Sequence, residues 1–79
     1  MSTKGSIKPK TVGQYLSFCR QQSGLTQDQL ASLVGCHRQS IHNYEQNKAT
    51  PPADMWAKMM SSLGVDAEEA HTAMMELSS

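Results

Sequence analysis

The segment from Gln27 to Gln46, QDQLASLVGCHRQSIHNYEQ, holds most of the chain's capacity for recognition chemistry. Arg38, Gln39, His42 and Asn43 sit within two helical turns of one another. Arginine presents a planar fork of donors that pairs bidentately with guanine, and glutamine and asparagine amides pair bidentately with adenine. On a helix these positions lie opposite Ile41 and Tyr44, so periodicity points them outward. Any solvated helix would show the same polar face, so residue type alone leaves base recognition and plain exposure both open. Other chemistries find no support. His37 and His42 are five apart on a helix and point in different directions, and His71 is remote from both. There is no serine–histidine–carboxylate combination and no glycine-rich phosphate loop. The expectation is a protein that is not an enzyme and holds no metal or cofactor.

Presenting such a face requires two helices that meet steeply through a short turn. Ala31 is the small residue that lets them approach. Gly35 supplies a turn position that tolerates positive φ. Ile41 and Tyr44 would pack inward on Leu30, Val34 and Cys36. Thr26 and Gln29 form a capping box that opens the first of the pair, about Gln27–Leu33. The second runs from about His37 to Gln46, with histidine where a better capping residue would stand. Ahead of them, Val12, Leu16, Cys19 and Ser23 mark one face of a helix that starts after Thr11 and stops at Gly24. Phe18 falls off that stripe. Beyond the loop Asn47–Pro52, Trp56, Ala57, Met59, Met60 and Leu63 mark a fourth helix, which Thr50 could cap. Asp66 and Glu69 open a fifth, with Ala67, Ala70, Met74 and Leu77 on one side. Five helices and no strand make the chain all-α.

Charge is distributed unevenly. Residues 1–53 carry Lys4, Lys8, Lys10, Arg20, Arg38 and Lys48 against Asp28 and Glu45, a net +4, while residues 54–79 sum to −4. A zero overall balance thus conceals a basic front, and the local field is what meets a phosphate backbone. Residues 1–10 read as a flexible basic arm and residues 11–79 as one domain. No long apolar run or signal peptide is seen, so a soluble, cytoplasmic protein is expected. Cys19 and Cys36 are too few for a disulfide framework and read as buried free thiols. A domain of 79 residues is marginally stable alone. A second subunit, held by the last helix and the off-stripe Met55 and Met75, would help.

Residues 11–66 resemble the helix-turn-helix family of phage repressors and Cro proteins, also called the XRE family and widespread among bacterial regulators and antitoxins. Gly24-Leu25-Thr26-Gln27-Asp28-Gln29-Leu30-Ala31 resembles the start of its second helix. Ser40-Ile41 and Tyr44-Glu45 are similar to its recognition helix, and Leu63-Gly64-Val65 to the end of its fourth.

The resemblance implies a compact five-helix domain acting as a homodimer on a palindromic double-stranded DNA operator. It places Arg38, Gln39 and Asn43 at base-reading positions, with His42 as a further contact. Gln27, His37, Ser40, Asn47 and Lys48 would hold phosphates, Gln27 from a helix N-terminus that attracts anions. Ala31, Gly35, Ile41 and Tyr44 are its structural positions. Arg20 and Glu45 match a partly buried salt bridge between the first and third helices. The function implied is a transcriptional regulator, a repressor of phage or mobile-element type. The alternative is an antitoxin or adaptor of the same fold that binds a protein partner through residues 54–79.

Overall fold

Helix boundaries fall where local chemistry places them. In the computed structural model, residues 9–77 are described. They form α1 (Val12–Gln22), α2 (Gln27–Val34), α3 (Arg38–Glu45), α4 (Ala53–Ser62) and α5 (Ala67–Leu77), with no strand among the described residues. Thr11 caps α1 by accepting the Gln14 N–H at 3.1 Å. The capping box of α2 is complete. Gln29 N–H donates to Thr26 Oγ1 at 3.0 Å, and Thr26 N–H donates to Gln29 Oε1 at 2.8 Å. Gly35 ends α2 in the left-handed region at φ 78°, where an L side chain would be strained.

The five helices bury one core. Leu16, Leu30, Ile41 and Met59 are fully inaccessible, and Ala31, Val34, Trp56 and Met60 nearly so. Full burial of each large side chain contributes about 1.5–3 kcal/mol. Leu16 of α1, Leu30 of α2 and Ile41 of α3 share this core, and α3 packs against both α1 and α2. Trp56 donates its indole N–H to Ala70 O at 2.9 Å, which joins α4 to α5 while satisfying the ring's one polar atom. The Tyr15 and Trp56 rings stand 6.1 Å apart, tilted by 39°.

Several details differ from the pattern-based reading. Ser23 and Ala57 are exposed. Ser23 caps α1 and its hydroxyl donates to Leu63 O at 3.4 Å. Cys36 is only half-buried, while Cys19 is buried; both are free thiols. Met55 packs against the core, which leaves Met75 as the exposed methionine of the two. α3 starts at Arg38 and ends at Glu45, with His37 and Gln46 as its caps. Thr50 does not cap α4: Pro52 holds that position with no side-chain cap bond.

Candidate nucleic-acid interface

α3 is held from behind by the helices around it. Ala31 is 2% exposed, which fits a crossing too close for a larger side chain, and its carbonyl accepts the N–H groups of both Gly35 and Cys36 at 2.9 Å. Ile41 plugs the core, and Tyr44 lies half-buried beside it. One turn beyond Ile41, Glu45 is buried. Its Oε2 accepts Arg20 Nε at 2.6 Å, and its Oε1 accepts both Arg20 Nη2 at 3.1 Å and Gln27 Nε2 at 3.0 Å. Arg20 also donates through Nη1 to Leu25 O at 2.7 Å. One ion pair thus joins α1, the loop before α2, the first residue of α2 and the end of α3. A buried carboxylate needs such complete pairing, because leaving it unpaired costs several kcal/mol, on the order of 3–5.

The opposite face of α3 is open. Arg38 and Gln39 are exposed, and Ser40, His42 and Asn43 are half-buried. Gln39 Nε2 donates to Asn43 Oδ1 at 3.1 Å along this face. His37, which caps the helix without a side-chain hydrogen bond, and Lys48 are both exposed. The structure therefore brings the outward residues expected from the sequence onto one side of a firmly seated helix.

Two of the expected phosphate ligands have other partners. Gln27 has turned one amide N–H inward to Glu45, which leaves it one N–H for an external anion at the N-terminus of α2. Asn47 uses both ends of its amide within the protein. It sits at φ 61°, its Oδ1 accepts Gly13 N–H at 3.0 Å, and its Nδ2 donates to Thr11 Oγ1 at 3.0 Å. It thereby caps the N-terminus of α1 and, like Gln27, keeps one amide N–H for an external anion.

That cap accompanies a close approach that the sequence does not announce. The N-terminus of α1 meets the C-terminus of α3, so opposite ends of two helix dipoles face each other. A Cβ on Gly13 would lie 2.5 Å from Tyr44 O and 2.6 Å from Glu45 O. The available signal is a glycine inside an otherwise helical pattern, which costs helix propensity and so usually marks tight packing. Lys58 is a second residue that sequence reasoning misses. It donates from Nζ to Val34 O at 3.4 Å, at the C-terminal end of α2 where a cation is favoured.

The titratable groups with displaced pKa values lie elsewhere. Burial, followed by the neighbouring Cys19 and Glu69, pushes the Tyr15 hydroxyl up to about 12. Burial also raises Cys19, and Cys36 despite the partial offset from Lys58. Lys4 and Lys8 of the expected arm lie outside the described residues, while Lys10 is exposed with its backbone N–H bonded to Gln14 Oε1 at 2.8 Å. No cluster of three or more histidine, cysteine, aspartate or glutamate side chains suited to a metal ion occurs among the described residues. No helix there is long and apolar enough to cross a membrane.

Two packed helices, with Ala31 buried in the first, a left-handed turn at Gly35 and a polar outer face on the second, define a helix-turn-helix domain. The chain belongs to the helix-turn-helix family of DNA-binding domains, whose model matches residues 11–73. It is similar to the SPbeta prophage-derived uncharacterized HTH-type transcriptional regulator YonR of Bacillus subtilis (strain 168). The identity is 34% over 56 residues, which is 71% of this chain and 52% of that protein. It is also similar to the antitoxin HipB of Escherichia coli (strain K12), 30% identical over 63 residues, or 80% of this chain and 72% of that one. The chain spans about half the length of the Bacillus relative.

Proposed function

We propose that this protein is a sequence-specific transcriptional regulator that binds double-stranded DNA as a homodimer and acts as a repressor. α3 enters the major groove, where Arg38, Gln39 and Asn43 read base edges and His42 adds a contact. Gln27, His37, Ser40, Asn47 and Lys48 hold the flanking phosphates. The protein works by binding alone, without catalysis or cofactor.

The observation that carries this reading is the asymmetry of α3. Its inner side is locked by Ile41 and by the buried Glu45–Arg20 pair, while Arg38 and Gln39 stand exposed and Asn43 half-buried on the other. A recognition element needs that combination, because side chains discriminate bases only when their helix is held in a fixed register. Two such helices in a dimer would meet successive major grooves about 34–36 Å apart. Exposed Met75 and the apolar groove between α4 and α5, lined by Trp56, Val65 and Met74, offer surface for the second subunit.

Similarity to an antitoxin supports a second reading, in which the acidic half, residues 54–79, binds a protein partner. Selection of bound duplexes from a random pool separates the two. The regulator reading expects an enriched palindrome. Absence of enrichment, with residual binding lost at modest salt, leaves a weak phosphate binder and favours the protein partner.

A further inference from the structure

The outward face of α3 is not a row of independent side chains. Gln39 Nε2 donates to Asn43 Oδ1 at 3.1 Å across one helical turn. A solitary amide can rotate about its last bond and offer either its donor or its acceptor edge, which lets it adapt to more than one base. The mutual bond biases both residues toward one orientation. Asn43 has one lone pair of its oxygen engaged and keeps two N–H donors. Gln39 keeps its oxygen as an acceptor together with one N–H donor.

We propose that Gln39 and Asn43 read DNA as one hydrogen-bonded unit with a preferred donor and acceptor pattern. Gln39, with one acceptor and one donor, matches adenine, whose major-groove edge offers the N6 donor and the N7 acceptor. Asn43, with two free donors against one remaining lone pair, favours a keto base in the same half-site: guanine through O6 and N7, or thymine through O4. It disfavours cytosine, whose major-groove edge offers only the N4 donor. The bond also orients both amides before DNA arrives, so less side-chain freedom is lost on binding. This inference rests on the reading that α3 faces the bases.

The test measures base discrimination, as ratios of competitor affinities, at each position of the site selected by the wild-type protein. Wild type is compared with Asn43→Ala and Asn43→Asp, each checked for native helicity by circular dichroism. Ratios cancel the uniform effect of the added charge in Asn43→Asp. Wild type should prefer adenine at one base pair and a keto base at another by about tenfold each, within the range for good contacts. Asn43→Asp keeps the acceptor for Gln39 and loses both donors, so the keto preference should disappear while the adenine preference stays. Asn43→Ala removes the partner that orients Gln39, and should lower discrimination at both base pairs, by roughly threefold or more at the adenine. If Asn43→Ala relaxes only its own base pair, the two residues read independently and the proposal is overturned. A wild-type preference for cytosine at the Asn43 base pair would overturn it as well. Absence of any enriched site would instead refute the regulator reading on which it rests.

Discussion

Arg20 of α1 grips Glu45 of α3 through two hydrogen bonds, Nε to Oε2 at 2.6 Å and Nη2 to Oε1 at 3.1 Å, with the Glu45 side chain only 4% exposed. Because Gln27 donates to the same carboxylate, this pair anchors both α3 and the first residue of α2. Stability and the placement of α3 therefore share one joint.

Cutting that joint should be costly. Arg20→Met leaves Glu45 buried with Gln27 as its remaining side-chain donor, and the expected loss is about 3–5 kcal/mol in urea unfolding. Glu45→Leu combined with Arg20→Met should recover much of the loss, since two apolar side chains need no pairing. Should Arg20→Met unfold at the same urea concentration as a surface control such as Lys10→Met, the pair contributes nothing.

Gly13→Ala ordinarily strengthens a helix by about 1 kcal/mol. Here the added Cβ would meet backbone oxygens of Tyr44 and Glu45 at 2.5 and 2.6 Å, which cannot move without shifting the end of α3. The substitution should destabilise by about 1–3 kcal/mol, as overpacking does. It should also weaken specific DNA binding, because the displaced segment carries Asn43. A thermal melt and a binding titration of the same preparation check both; an unchanged melting temperature would mean the two helix ends are not in close contact.

Stability should fall at alkaline pH. Tyr15 and Cys19 both have raised pKa values in the folded protein, so the folded state holds their protons more tightly than the unfolded chain does. Their contribution is complete below the unfolded values, 9.0 for cysteine and 10.0 for tyrosine. The tyrosine part is lost as pH rises from there through about 12. Tyr15→Phe should flatten the decline between pH 10.0 and about 12, seen as a smaller drop in urea midpoint than wild type shows. Equal drops in the two proteins would place the alkaline loss elsewhere.

Much of the fold is readable because its signals are local. Thr26 with Gln29, Gly35, and the spacing of Leu30, Ala31 and Val34 are relations within a few residues, and the structure holds each. The Arg20–Glu45 pair lies 25 residues apart and is expected only through family resemblance. The Asn47 cap on Gly13 and Thr11 spans 34 and 36 residues, and nothing local distinguishes it from a loop residue free to hold a phosphate. Lys58 on Val34 O escapes for the same reason. The Gln39–Asn43 bond is different. Its i, i+4 spacing is plain in the sequence, but weighing each residue only for what it offers DNA hides what the two offer each other.

The most direct test of base reading by α3 compares wild type with Arg38→Ala on the selected duplex and on a scrambled duplex of equal length, at one salt concentration. Arg38 is exposed at the first position of α3, so its removal should leave the fold intact. Loss of a bidentate guanine contact should lower affinity for the selected duplex by about 1–3 kcal/mol, relax the preference at one base pair per half-site, and weaken scrambled-duplex binding far less. Equal losses on both duplexes would make Arg38 a phosphate contact and contradict the claim that this face reads sequence.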